Sequence, residues 1–381
     1  LQGDLGGFVG TNNGSIFNSY AMGNINGAGI ASNLGGFVGT NTASGALGRS
    51  YASGDAVSSG TGDSVGGFSG TNLGLITESY AKGSVFAPNG VGGGFVGLSS
   101  GVIEDSFSSG SIRGGSSLGG FAGELEGGSL FRTYTHSDVT GVSIIGGFVG
   151  IASGGVTIDD SYNVNSVQGV DIAGFMGEAN IVTLTDSFSA ATLSGSNTEF
   201  AFINTLTSGT LNYNYWDSTL AAELPGSSVS NSQANQYEGL STANMKLSAS
   251  FSANWDYVSN WVQVDNYSYP IHRTSPEGFC LANPSASQYN DNGESGSFDQ
   301  PFVLCNAQQL KSIRAACATD GDKAYILGAN IDLTNEYGSS QSICTSPDTF
   351  TGVFDGRGYT ISSLTGDALI RDASDGAVIK N

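Results

Sequence analysis

The apolar and polar positions of the first 215 or so residues repeat as one short phrase: two glycines and a phenylalanine, with an apolar residue usually just before and after. Leu5-Gly6-Gly7-Phe8-Val9-Gly10 returns as Leu34-Gly35-Gly36-Phe37-Val38-Gly39, as Val65-Gly66-Gly67-Phe68-Ser69-Gly70, and in further copies. Its phenylalanines, Phe8, Phe37, Phe68, Phe95, Phe121, Phe148 and Phe175, recur every 26 to 31 residues, and Phe202 marks a degenerate eighth copy. A period of that length belongs to solenoids.

Eight to ten residues after each phenylalanine comes an aliphatic side chain: Ile16, Leu47, Ile76, Ile103, Leu130, Ile158, Leu184 and Leu211. Four residues further on stands an aromatic: Tyr20, Tyr51, Tyr80, Phe107, Tyr134, Tyr162, Phe188 and Tyr215. Ile25, Val57, Val85, Ile112, Val139, Val167 and Leu193 form a third column. Three apolar stations per repeat predict an all-β fold, a parallel β-helix or β-solenoid with three short strands per coil. Stacked coils bring equivalent residues ~4.8 Å apart, so like side chains form ladders. The paired glycines fit corners where a Cβ would clash. Variable lengths, as at 43–46 and 58–64, read as loops, and Ser59 and Ser99 fall between stations.

One column resists a straight strand. Asn18, Arg49, Glu78, Asp105, Arg132, Asp160 and Asp186 lie two residues before the second aromatic, and Asn214 lies just before Tyr215. A period of two cannot put both the aliphatic and the aromatic inside, so a bend is expected at the polar residue.

The repeat ends at Asn214-Tyr215-Trp216-Asp217, which divides the chain into solenoid repeats over 1–215, a closing or capping segment over 216–273, and a third module over 274–381. Trp255, Tyr257, Trp261, Tyr267 and Tyr269 offer aromatic material for the cap. The last module carries a helix predicted from Ala307 to Cys317, then strands over 325–327, 329–333 and 351–356 that open a second β-helix. It also holds all four cysteines. Of their three possible pairings, the simplest local closure is Cys280 with Cys305 and Cys317 with Cys344, which implies an oxidising compartment.

Composition changes the picture mainly by exclusion. Glycine accounts for 59 of 381 residues, and charged residues are only 12%, below the usual roughly 25%. The net charge of −21 comes with bases scattered singly, so no basic stripe exists for nucleic acid. No apolar run is long enough to span a membrane.

The Gly-Phe-Val-Gly phrases with their following Ser-Tyr steps resemble the GLUG-motif repeat proteins of bacteria. Asn214 to Asp217, Leu240 to Met245 and Tyr269-Pro270 look like the segment that closes such arrays, and Ala329 to Thr334 with Phe350 to Leu364 look like the opening of a second one, whose first coil begins at Leu369. The resemblance implies large secreted or surface-anchored proteins, often adhesins, with β-helical stalks and no catalytic residues. The four-cysteine module departs from it.

Candidate chemistry is sparse. Ser64 and Ser117 stand in G-x-S-x-G matches without a strand-turn-helix context or a histidine partner, and Gly92 to Gly97 fits G-x-G-x-x-G with no helix after it. His136 and His272 lie in different segments. Asp105, Asp160 and Asp186 share a column but are expected in non-adjacent coils or beside Arg132, giving at most a chance pair. Gln288 to Gly293, with Asp299, is a weak echo of a calcium loop, and no other cofactor is indicated.

These features predict an extracellular or bacterial cell-surface protein that is structural or adhesive and not an enzyme. Its possible partners are cell-surface or matrix glycans, a continuation of a larger surface protein, or further copies of itself head to tail. The last follows from a start at a bare Gly-Phe station and a finish, Asp375 to Asn381, that matches the phase of Asn13 to Ser19. The alternatives are a filament subunit and a carbohydrate-active enzyme on a β-helix.

Overall fold

The computed structural model describes residues 3–27, 33–61, 63–227, 237–283, 287–290, 295–297, 301–334, 342–345, 347–357, 359–365 and 368–380. The chain forms two compact units, Leu1–Trp255 and Asp256–Asn381, so the boundary falls inside the segment expected to close the array.

The first unit is a parallel β-solenoid with three strands per coil. In its second coil one side carries Val38–Asn41 and Ala46–Gly48, the next carries Tyr51–Ala52 and Ala56–Ser58, and Ser64–Gly66 forms the third and leads into the next Gly-Phe corner. Toward the end the breaks close, and the sides run as Tyr162–Ala173, Met176–Thr185, Phe188–Phe200 and Ile203–Asn212.

Register follows the predicted ladders. The phenylalanine rings from Phe8 to Phe202 stack with centroids 4.7–5.3 Å apart. The second aromatics stack from Tyr20 to Phe188 at 4.9–5.3 Å, and the backbone of Phe188 pairs with Tyr215. This second ladder is buried except at Phe107, which is half-buried, and Tyr20, which is 44% exposed. The aliphatic column runs in register from Ile16 to Leu211.

Two expectations are corrected by this register. The third column passes through Ala56, which pairs with Ile25 and Val85, and not through Val57, which pairs with Asn26 and Phe86. Ala56 lies five residues after Tyr51, as Ile25 lies after Tyr20 and Val85 after Tyr80, so the inward position falls on the smaller side chain and Val57 takes the half-buried outer one. Ser99 is buried, not in a loop. It ends a ladder in which Asn12 Nδ2 donates to Asn41 Oδ1 at 2.9 Å, Asn41 Nδ2 to Asn72 Oδ1 at 2.9 Å, and Asn72 Nδ2 to Ser99 Oγ at 3.2 Å.

The interior holds two apolar cores. One contains the phenylalanine ladder, the Leu47 column and Ala52, and the other contains Leu34, Ala56, Val65, Val85, Ile112 and their equivalents. The apolar residues that open the Gly-Phe phrases, Leu34, Val65, Leu118, Ile145 and Ile172, are thus core residues in their own right.

The predicted bend is real. Asn18, Arg49, Glu78, Asp105, Arg132, Asp160 and Asp186 have φ between 45° and 52°, and the eighth member is Tyr213 at 55°, not Asn214. This left-handed residue reverses the alternation, so both flanking apolar columns point inward. Such a conformation costs roughly 1–2 kcal/mol for a residue other than glycine. The hydroxyl that follows offsets part of it. Ser50 Oγ donates to the Gly48 carbonyl at 2.9 Å and accepts the backbone N–H of Ser19 at 3.2 Å from the preceding coil. Ser79, Ser106, Ser161 and Ser187 repeat the donation across their own bends. At the end of the column Asn214 Oδ1 accepts from the Ser187 N–H at 3.1 Å.

The stack is closed by its own aromatic residues. Pro225 and Gly226 accept hydrogen bonds from Ala201, Phe202 and Ile203, and Tyr237–Leu240 pairs in parallel with Asn214–Asp217 as part of a rudimentary ninth turn. Trp216 and Tyr237 face the ring of Phe202, while Phe251 and Trp255 meet Tyr215 edge-on. A short helix, α1 (Thr242–Met245), lies between them in sequence.

The second unit contains a helix that sequence periodicity did not reveal, α2 (Pro276–Ala282), and the predicted one, α3 (Ala307–Asp320), three residues longer than expected. Phe302, Tyr325, Phe354 and Ile379 align in one parallel sheet. The second solenoid therefore begins near Phe302, well before Leu369, and its first turn contains α3. Both expected disulfides are present, Cys280–Cys305 and Cys317–Cys344. Trp261, assigned by sequence to the cap, instead packs on His272 in this unit at 4.7 Å.

Candidate functional site

The bend column gathers an unusual group of carboxylates. Because Tyr162 pairs with Phe188, the bends before them stack, and Asp160 and Asp186 occupy neighbouring coils. Their carboxylates and that of Asp159 come within 4.8 Å of one another, the one group of three ligand-bearing acids close enough to hold a metal ion among the described residues. The expectation of acids in non-adjacent coils fails here, because it treated the column as scattered and overlooked Asp159, the outward residue just before the bend.

In the coils just before Asp160 the same column is neutralised. Arg132 clamps Asp105 with two bonds of 2.8 Å and lies 3.8 Å from Glu104. Arg132 is thus committed toward the earlier coils, and the acids beyond it repel one another. Burial is the main reason that Asp186 rises to about 7, with the charges of Asp160 and Asp159 adding to it. Burial also raises Asp159, against the opposing effects of a backbone hydrogen bond and Arg132. The trio therefore retains a proton near neutrality. It could exchange that proton or give it up to a divalent cation.

The remaining candidates stay apart. Ser64 is a ladder residue paired with Asn33 and Val91, and Ser117 is a bend residue with φ 56°. Gly92 to Gly97 forms one more coil corner, flanked by strands Val91–Gly93 and Val96–Ser99. His136 is exposed, edge-on to Tyr134 and Tyr162, whereas His272 is buried in the second unit. Of the calcium-loop residues, Asp291, Asn292, Gly293 and Asp299 lie outside the described residues, and Tyr289 turns its hydroxyl to Asp320. A shallow cavity of about 260 Å³ near Ile181, Thr183, Ser208 and Thr210 has no titratable side chain in its lining.

No helix among the described residues is long and apolar enough to cross a membrane. Two disulfides point to an oxidising environment. Comparisons with family models, with curated proteins and with solved structures returned no match.

Proposed function

We propose that this chain is part of an extracellular, bacterial cell-surface protein of the GLUG-repeat type, a stalk that holds adhesive or matrix-forming surfaces away from the cell. The observation that carries this reading is the unbroken pair of aromatic ladders. Side chains of every coil are committed to stacking, which resists bending, while the loops differ in length from coil to coil and are available to bind glycans. The disulfides agree with an extracellular setting.

Antibodies against the first unit should label intact source cells and reduce their attachment to glycan-coated surfaces. Labelling only after permeabilisation overturns the location, and unchanged attachment by cells lacking the chain overturns the adhesive role. Electron microscopy of native secreted material separates a stalk from a filament of repeating copies.

One observation favours a second reading, a carbohydrate-active enzyme. A carboxyl held at about 7 beside two others is suited to general acid catalysis. Polysaccharide cleavage by the wild type that is lost in Asp186→Asn would establish it.

A further inference from the structure

The two disulfides of the second unit differ in what surrounds them. Cys317 and Cys344 belong to its apolar core and are 4% and 0% exposed. Cys280 and Cys305 are only half-buried and lie outside that core. Cys280 sits on α2, whereas Cys305 directly follows the strand Phe302–Leu304 that opens the second parallel sheet. The first bond therefore ties a helix to a sheet edge, and the second staples the core.

Helix α2 has seven residues and could not persist by itself, since isolated helices of that length are unstable in water. It packs against the strands Trp261–Val262, Ile271–His272 and Phe302–Leu304, and a few side-chain hydrogen bonds add to that packing. Ser275 caps it by accepting from the Gly278 N–H at 3.0 Å and donates to the His272 carbonyl at 2.7 Å. The Tyr359 hydroxyl donates to Glu277 at 2.6 Å. The sulfur of Cys280 rests against Gly328, where a β-carbon would stand 2.5 Å from it.

We infer that Cys280–Cys305 is a thiol-exchange site and a redox-sensitive clasp on α2, while Cys317–Cys344 is a permanent staple. A thiolate of a dithiol reductant attacks one sulfur of the half-buried bond. The S–S bond breaks, a mixed disulfide forms, and the other cysteine leaves as a thiolate. The reductant's second thiol then closes its own disulfide and expels the remaining cysteine. Two electrons pass to the protein, both cysteines take up protons, and the reductant is oxidised. Reduction removes the covalent tie and leaves α2 to its hydrogen bonds, such as those of Ser275 and Tyr359, and to its packing on the neighbouring strands. The same exchange with a protein thiol would tether that partner covalently at Cys280 or Cys305.

The test treats the full-length native chain with dithiothreitol, without denaturant, and traps free thiols with iodoacetamide for peptide mapping. Cys280 and Cys305 should be labelled at least about tenfold faster than Cys317 and Cys344. Hydrogen exchange over 276–282 should rise at the same time, while exchange over 307–327 stays unchanged. The double variant Cys280→Ser, Cys305→Ser should show fast exchange over 276–282 from the start and no further response to reductant. Equal labelling of both pairs, or earlier labelling of the core pair, overturns the exchange site. Selective labelling with unchanged exchange over 276–282 overturns the clasp.

Discussion

Gly120 faces the carbonyl oxygen of Gly147 one coil on, so closely that a β-carbon on Gly120 would collide with it. The same approach recurs between Gly36 and Gly67 and between Gly67 and Gly94, so the corner glycines are required by the distance between coils. Gly120→Ala should therefore destabilise the first unit by at least about 1–3 kcal/mol, because neighbouring backbone has no room to yield. Gly14→Ala, with nothing within 4 Å of the new atom, should be tolerated. Urea denaturation of both variants checks the difference.

Phe121 is fully buried between Phe95 and Phe148, with ring centroids at 4.9 and 5.3 Å. Phe121→Ala should cost about 3–5 kcal/mol, since the coils on either side cannot close the gap. Phe8→Ala should cost much less, because that ring is 51% exposed and stacks on Phe37 alone among the ladder rings. Equal losses in chemical denaturation would show that the ladder is not what holds the coils.

Trp255 covers the end of the second ladder, and its Nε1 donates to the Tyr213 carbonyl at 2.9 Å. Trp255→Ala should loosen the last coils first, because each coil of a solenoid is supported mainly by its neighbours. Faster hydrogen exchange over 203–217, with 96–125 unaffected, is the expected result.

The acid corner gives stability a distinct pH dependence. With Asp186 raised from 3.8 to about 7, the native state binds more protons than the unfolded chain between those values. Its contribution is therefore fully present below about 4 and is lost as pH rises through about 7. Asp186→Asn should flatten this slope and raise the melting temperature at about pH 8, where repulsion with Asp159 and Asp160 is greatest. Melting curves at several pH values would decide it, and a wild-type stability that rises from pH 5 to 8 would count against the corner.

The repeat period, both aromatic ladders, the aliphatic column and the disulfide partners were all legible in the sequence. Coil stacking places chemically like residues beside one another, and each column recurs eight to ten residues after its phenylalanine or at a constant four-residue step beyond that. The bend could be foreseen as well, since Asp160 stands between two columns that must both face inward. Other features depended on three-dimensional register. Ala56 displaces Val57 because the five-residue step from Tyr51, kept in every coil by strand pairing, and not hydrophobicity, decides which residue points in. Helix α2 is too short for its period to stand out, and it is held by a disulfide and by Tyr359, 82 residues beyond Glu277. The acid corner was the least legible. A carboxylate's charge state depends on burial and on neighbours within a few ångströms, and only the stacking of one coil on the next brought Asp159 and Asp160 against Asp186.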